Sequence, residues 1–441
     1  MKILFISLGC DKNLVDSEEM LGMLRKEHFE FTDDEAEADV IVINTCCFVN
    51  DAKEESIETI LQMAEYRKNG MCKALIVTGC LAQRYKDEII KEIPEVDAVL
   101  GTSSYDSIVD AVKTALEGRR YELYSSLDKL IVEETDRVLT TGGYFAYLKI
   151  AEGCNKSCTY CIIPKIRGRY RSVPMEELIS SAEQLVRGGA KELILVAQET
   201  TLYGADLYGK KMLPELLKKL CEISGLVWIR LLYCYPEEIT DELIEVIKNE
   251  SKICKYIDMP IQHANDRILK LMGRRTNKKE LVEKISKLRT EIPDIVIRTT
   301  LISGFPTETE EEHEELLDFV DEMEFDRLGV FTYSPEENTK AAEMQGQIPE
   351  ELKVKRRNEV MKLQQDIVFE KGETMIGKKV PVMIEGKLVD ENAYIGRTYM
   401  DAPNVDGNIF VVTDEELLTG DFVKVFITGS QDYDLIGEIA D

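Results

Sequence analysis

The chain has 441 residues, a formal net charge of −28, eleven cysteines and three histidines. That length calls for two or three domains, each able to bury its own core, and so acidic a balance disfavours nonspecific nucleic-acid binding and favours a basic partner. No run of 18 apolar residues is present, and acidic residues follow MKILFISLGC at once, so a membrane span and a signal peptide are not expected and a soluble cytoplasmic protein is.

Residues 1–118 alternate short apolar runs, KILFIS, DVIVIN, ALIVTG and DAVLG, with helical patterns, which predicts a parallel sheet covered by helices. Residues 119–141 carry many charges without a sustained period, predicting a linker. Residues 142–371 hold six more strands, YFAYLKIA, ELILVAQ, VWIRLLYC, KYIDMPIQ, IVIRTTLISG and RLGVFTYS, with helical stretches between them. That alternation predicts a partial (β/α) barrel whose site lies at the carboxyl ends of its strands. A long charged helix from about Pro349 to Glu370 closes it, and residues 372–441, all short strands and turns, predict a small β-barrel. The fold class expected is therefore α/β and multidomain. GETMIGKK at 372–379 mimics a phosphate loop, but it lacks the terminal Ser/Thr and follows a helix where a strand is required.

An odd number of cysteines in a long chain without export features points to metal or catalytic use. Cys72, Cys221, Cys234 and Cys254 sit singly in apolar or helical contexts and read as core residues. In EGCNKSCTYC, Cys154, Cys158 and Cys161 follow directly on a strand. Three thiolates on one short loop can hold three corners of a 4Fe-4S cube and leave one iron open. A zinc site would want a fourth Cys or His nearby, and the next candidate is Cys221. A second set is dispersed: Cys10 in LGC, Cys46 in NTC and Cys80 in TGC each come just past a predicted strand. Carboxyl ends of neighbouring parallel strands lie side by side, so the three can meet at one sheet edge. The alternative is three unrelated buried cysteines. Cys47 complicates the set, since adjacent residues leaving a strand point to opposite sides and either could reach it.

CxxxCxxC with an aromatic before the last cysteine, here Tyr160, resembles the radical S-adenosylmethionine enzymes. The order LGCDKNLVDSE, NTC, TGC, the CxxxCxxC loop and a closing barrel resembles their methylthiotransferase family over nearly the whole chain. The resemblance implies an amino-terminal cluster domain, a radical barrel and a TRAM domain, with two 4Fe-4S clusters and S-adenosylmethionine. It places the ligand after Asn-Thr, hence Cys46 beside Cys10 and Cys80, with Cys154, Cys158 and Cys161 around the second cluster. Gln198 and Glu199 end a strand, and Gly304 lies in a loop at another strand end. With Tyr160 they are candidates for cofactor contacts; ordinary strand-end polarity and a turn glycine are the alternative.

Family members modify either a transfer-RNA adenosine or an aspartate β-carbon of small-subunit ribosomal protein S-twelve. GCDKNLVDSE is similar to the GCPKNxVDSE of the ribosomal-protein branch, and GRTYMDAPNVDG to its GRTxxDAPEVDG, whereas the transfer-RNA branch more often begins GCQMN. From Met375 to Asp441 there are five basic and thirteen acidic residues, net −8. A barrel of that sign suits a basic ribosomal protein, with Asp401 and Asp406 expected to attract it, and RNA is not expected as its main partner. The implied reaction takes hydrogen from the aspartate β-carbon by a deoxyadenosyl radical and adds a methylated sulfur carried on the open iron of the amino-terminal cluster. A flavodoxin or ferredoxin would supply electrons. Transfer-RNA methylthiolation and a non-catalytic iron-sulfur carrier are the alternatives, and the carrier leaves two open irons and a six-stranded barrel without purpose. Three positions depart from the family: Asp11 for Pro, Thr307 for Gly and Asn338 for Gly. Asparagine is tolerable at positive φ, and Thr307 is expected only to reduce flexibility.

Overall fold

The computed structural model describes residues 1–131, 137–389 and 391–440. Residues 132–136 of the expected linker, and the acidic residues at 390 and 441 counted above, lie outside the described residues.

The first sheet contains β1 (Lys2–Ser7), β2 (Glu30–Thr32), β3 (Val40–Thr45), β4 (Ala74–Gly79), β5 (Ala98–Leu100) and β6 (Tyr121–Leu123), in the order β2-β1-β3-β4-β5-β6. All its pairings are parallel. VIVINT and ALIVTG are buried at every position, as central strands with helices on both faces must be. The edge strands β2 and β6 have only three residues each, too few to carry a pattern. Strand β6 lies within the segment expected as a linker, so the sheet reaches further along the chain than its hydrophobic runs suggest.

The second sheet begins with β7 (Phe145–Lys149), which leads into a short antiparallel pair, β8 (Ala151–Glu152) and β9 (Arg171–Ser172). It continues through β10 (Glu192–Val196), β11 (Trp228–Leu231), β12 (Ile253–Asp258), β13 (Val296–Ser303) and β14 (Arg327–Thr332). The order β14-β13-β12-β11-β10-β7, parallel throughout, reproduces the six expected strands as an open sheet. A helix over Glu350–Glu373 then packs on β14 and leads to a closed barrel. Its strands are β15 (Lys379–Lys387), β16 (Ala393–Thr398), β17 (Ile409–Val412), β18 (Phe422–Gln431) and β19 (Asp434–Ile439).

The closed barrel seats against the amino ends of the second sheet. Phe145, Ile194, Trp228 and Val296 share one apolar cluster with Val382, Ile384, Ile409 and Val425, and the rings of Trp228 and Phe422 meet edge to face at 4.7 Å. Ion pairs span the same seam. Asp401 pairs with Arg327, and Asp406 accepts from the Tyr256 hydroxyl over 2.8 Å while lying 3.4 Å from Arg298. Asp401 is only 2% exposed. These two aspartates therefore do not form the acidic docking surface expected of them: arginines on β13 and β14, distant in sequence, bury their charge between the domains. Exposed acidic residues of this barrel are instead Glu391, Asp414, Glu415, Glu416, Asp432 and Glu438.

Candidate metal centres

In the first sheet, strands β1, β3 and β4 are neighbours and each runs into a cysteine. Cys10 caps the start of helix α1 (Asp11–Lys26), Cys46 follows β3 before helix α2 (Asn50–Asn69), and Cys80 opens helix α3 (Cys80–Arg84). Gly9, at φ +88°, permits the closest approach, since a Cβ there would lie 2.8 Å from Cys46 Sγ. Gly79, at φ +93°, plays the same part against Asn44 and Thr45. Asn13 donates to the Leu8 carbonyl over 2.6 Å, and Asn44 donates to the Asn13 carbonyl over 2.9 Å, tying β1, α1 and β3 together. Ser56 on α2 brackets Cys46, accepting from its N–H and donating to its carbonyl.

The adjacent pair separates as expected of residues leaving a strand. Cys46 lies against Gly9, whereas Cys47 is fully buried in the core with Ile43, Ile60 and Leu81, a cluster that also takes in Cys80. Burial pushes the Cys47 thiol up to about 12, with Arg84 opposing.

The second set lies on the loop after β8. Gly153 is at φ +78°, where a Cβ would meet the Arg169 carbonyl at 2.2 Å, and the Cys154 N–H donates to the Gly168 carbonyl. Thr159 is fixed by its N–H to Met272 and its hydroxyl to Leu271. Cys158 Sγ lies 4.0 Å from the Tyr235 hydroxyl, and the Arg274 guanidinium stacks over the Tyr235 ring at 4.3 Å. Tyr160 packs against a cluster that includes Met272, Phe305 and Tyr333.

The other expected contacts divide. Gln198 donates to Glu152 over 2.7 Å, leaving its Oε1 buried without a partner, and Glu199 Oε2 is likewise unpartnered. Burial pushes the Glu199 carboxyl up to about 8; the Thr201 hydroxyl and Lys156 pull the other way. Lys156 is 3.8 Å from Glu199 but 2.5 Å from Glu238 and 3.4 Å from Glu237, so its charge is shared and does not offset the burial. Gly304 has a packing reason: at φ +74° a Cβ would meet Lys353 Cγ at 2.3 Å.

Four residues that the sequence reading missed complete the region: Glu152, Lys156, Arg167 and Arg274. All four are buried. Arg167 donates to Asp16 over 2.7 Å, to Glu152 over 3.2 Å, to Asn13 over 2.8 Å and to Cys80 Sγ over 3.4 Å. It thus joins the first cysteine set to the residue two before Cys154. The arginine-rich IRGRYR after the cysteine loop was the available signal.

Among the described residues no three His, Cys, Asp or Glu side chains converge as ligands of a single ion, whereas the cysteines of a four-iron cube bind separate corners. The thiol-only sets fit such a cluster. Unpartnered buried atoms on Gln198, Glu199, Ser303 and Arg274 fit a polar ligand beside the second set.

Three family models match in succession: Uncharacterized protein family UPF0004 over residues 2–101, the Radical SAM superfamily over 148–320 and the TRAM domain over 376–440. The ribosomal protein uS12 methylthiotransferase RimO of Lachnoclostridium phytofermentans is 66% identical, covering 99% of each chain. The chain belongs to the uS12 methylthiotransferase family. Another member, from Pelotomaculum thermopropionicum, is 53% identical over 99% of each chain. Among solved structures, the radical S-adenosylmethionine methyltransferase TsrM from Kitasatospora setae matches with a TM-score of 0.55 at 14% identity, covering 85% of this chain and 78% of that one. The radical enzyme OxsB matches at 0.51 and 13%, covering 82% and 56%. At those identities the likeness is one of fold. Membership makes this chain a radical S-adenosylmethionine methylthiotransferase. No helix among the described residues is long and apolar enough to cross a membrane.

Proposed function

We propose that this member of the uS12 methylthiotransferase family places a methylthio group on the β-carbon of an aspartate in ribosomal protein uS12, giving 3-methylthioaspartate. The observation that supports the reading is that Arg167, carried by the radical domain, reaches both Cys80 of the first cysteine set and Glu152, two residues before Cys154. Cys154, Cys158 and Cys161 would hold one 4Fe-4S cluster, and Cys10, Cys46 and Cys80 the other. Tyr160, Gln198, Glu199 and Gly304 are the proposed S-adenosylmethionine neighbours. When bound, the clusters and S-adenosylmethionine supply the radical that removes the β-hydrogen and the sulfur that takes its place.

An unactivated C–H bond offers no proton to a base near neutral pH, so no side chain need act as one. The protein positions and shields instead. Glu152 orients Gln198, whose free Oε1 is an acceptor, and burial holds Glu199 neutral until a cationic group binds beside it. Burial of Glu199, Lys156 and Arg274 beside the cysteine loop keeps that end of the sheet out of bulk water. The acidic surface of that barrel supports a basic protein substrate. A cytoplasmic setting and a flavodoxin or ferredoxin donor belong to the same proposal. The deciding assay supplies uS12, intact small subunits or transfer RNA in parallel, with reductant, sulfide and S-adenosylmethionine. Gain of one methylthio group on the protein is expected; modification of transfer-RNA adenosine alone would overturn the reading.

A further inference from the structure

We infer that Arg167 is a positioning residue for the amino-terminal three-cysteine site, giving Cys80 a hydrogen bond and the site a fixed positive charge. The inference rests on the reading of Cys10, Cys46 and Cys80 as cluster ligands. Arg167 is carried by the radical domain and is 2% exposed, yet its guanidinium crosses the domain boundary. Two carboxylates, Asp16 and Glu152, already have a second cation in Lys149, which pairs with both. A lysine would satisfy them as point charges. What the arginine adds is the planar fork: Nη1 serves Asp16 and Glu152 while Nη2 reaches Asn13 and Cys80 Sγ. The N–H that reaches sulfur comes from the domain bearing the other cysteine loop, so the same contact fixes the separation of the two sets. A positive charge beside a cysteine ligand favours the reduced, more negative state of a cluster, and hydrogen bonds to its sulfurs act in the same direction.

The test uses the full chain with Cys154, Cys158 and Cys161 replaced by Ala, so that one cluster remains. About four irons should load; a chain that binds none refutes the cysteine assignment and is distinguishable from a failure at Arg167. In this background Arg167→Gln should keep its iron and lower the reduced-to-oxidised ratio at a fixed potential about tenfold, equivalent to about 59 mV for one electron. Arg167→Lys, which keeps the charge but loses the fork that reaches Cys80, should fall between the parent and Arg167→Gln. An unchanged midpoint in loaded Arg167→Gln overturns the inference. Labelling arginine with nitrogen-15 in the parent provides a second readout that needs no variant at this position. Pulsed paramagnetic resonance of the reduced cluster should show a guanidinium nitrogen coupling, and its absence also overturns the inference.

Discussion

Arg397 on β16 donates to Glu192 at the first position of β10 over 2.6 Å, with both side chains buried. Glu192 also accepts from Arg230 over 2.8 Å, so one carboxylate joins the terminal barrel to two strands of the radical sheet. Burial alone would raise the Glu192 carboxyl; Arg397 and Arg230 overcome it and hold the group below its ordinary range. Because its folded pKa is depressed, this contribution is present above the unfolded value near 4.5 and is lost as pH falls through the folded one. Arg397→Ala should cost about 3 kcal/mol, the lower end for a broken buried pair because Arg230 remains. The measurement is the urea midpoint of unfolding, with limited proteolysis reporting release of the terminal barrel.

The cluster assignments predict about eight irons per chain after anaerobic reconstitution, and about four when Cys154, Cys158 and Cys161 are all Ala. S-Adenosylmethionine cleavage should disappear in that triple variant. Cys46→Ala should lose the amino-terminal iron alone, whereas Cys47→Ala should keep it, because Cys46 lies against Gly9, next to Cys10. Iron lost from Cys47→Ala and kept in Cys46→Ala would exchange the two roles.

Glu199 gives a prediction about protons. With burial holding its carboxyl near 8, the cofactor-free protein keeps it neutral at pH 7. An ammonium group binding beside it would lower that pKa and expel the proton. S-Adenosylmethionine binding at pH 7 should therefore release more protons from the wild type than from Glu199→Gln. Calorimetry in buffers of different ionisation enthalpy measures this directly, and equal proton release in the two would remove Glu199 from the cofactor site.

The repeated position of cysteines after strands was legible because hydrophobic runs mark strand ends and parallel topology aligns them. Four central strands of the first sheet, six of the second and five of the barrel were legible for the same reason. Asp401 and Asp406 were not. Their acidity reads as surface until Arg327 and Arg298, on another domain, are seen to meet them. Arg167 was hidden for the same physical reason: its partners Asp16, Asn13 and Cys80 lie far off in sequence, and no local period encodes a contact between domains.

Thr307 also departs from expectation, because more than flexibility is at stake. It sits at φ +68°, where a β-branched residue is strained by about 1 to 2 kcal/mol, while Asn338 at φ +65° is a residue type that tolerates the region. Thr307→Gly relieves the strain but adds about 0.5 to 1 kcal/mol of chain entropy and loses the hydroxyl bond to Arg267, so it should be nearly neutral. Thr307→Asn avoids the entropy term but loses the same hydroxyl bond, and should stabilise by about 0.5 kcal/mol. Urea denaturation of the two variants separates strain from flexibility, since flexibility alone would favour neither.

The acidic terminal barrel gives the last prediction, moved from the buried aspartates to those that face solvent. Asp414, Glu415 and Glu416 are consecutive and exposed. Changing all three to Lys leaves the domain seam untouched, so folding, iron content and S-adenosylmethionine cleavage should be retained. The KM for uS12 should rise roughly three- to tenfold, a modest change because exposed charge contacts are individually weak. The difference from wild type should shrink as salt is raised from 50 to about 300 mM, as screened surface charges require. Asp401→Lys should behave differently: it leaves Arg327 buried beside a second cation and should lower stability before it alters KM. A triple variant with unchanged KM at low salt would show that uS12 is captured elsewhere on the molecule, while leaving the chemistry of the two cysteine sets as it stands.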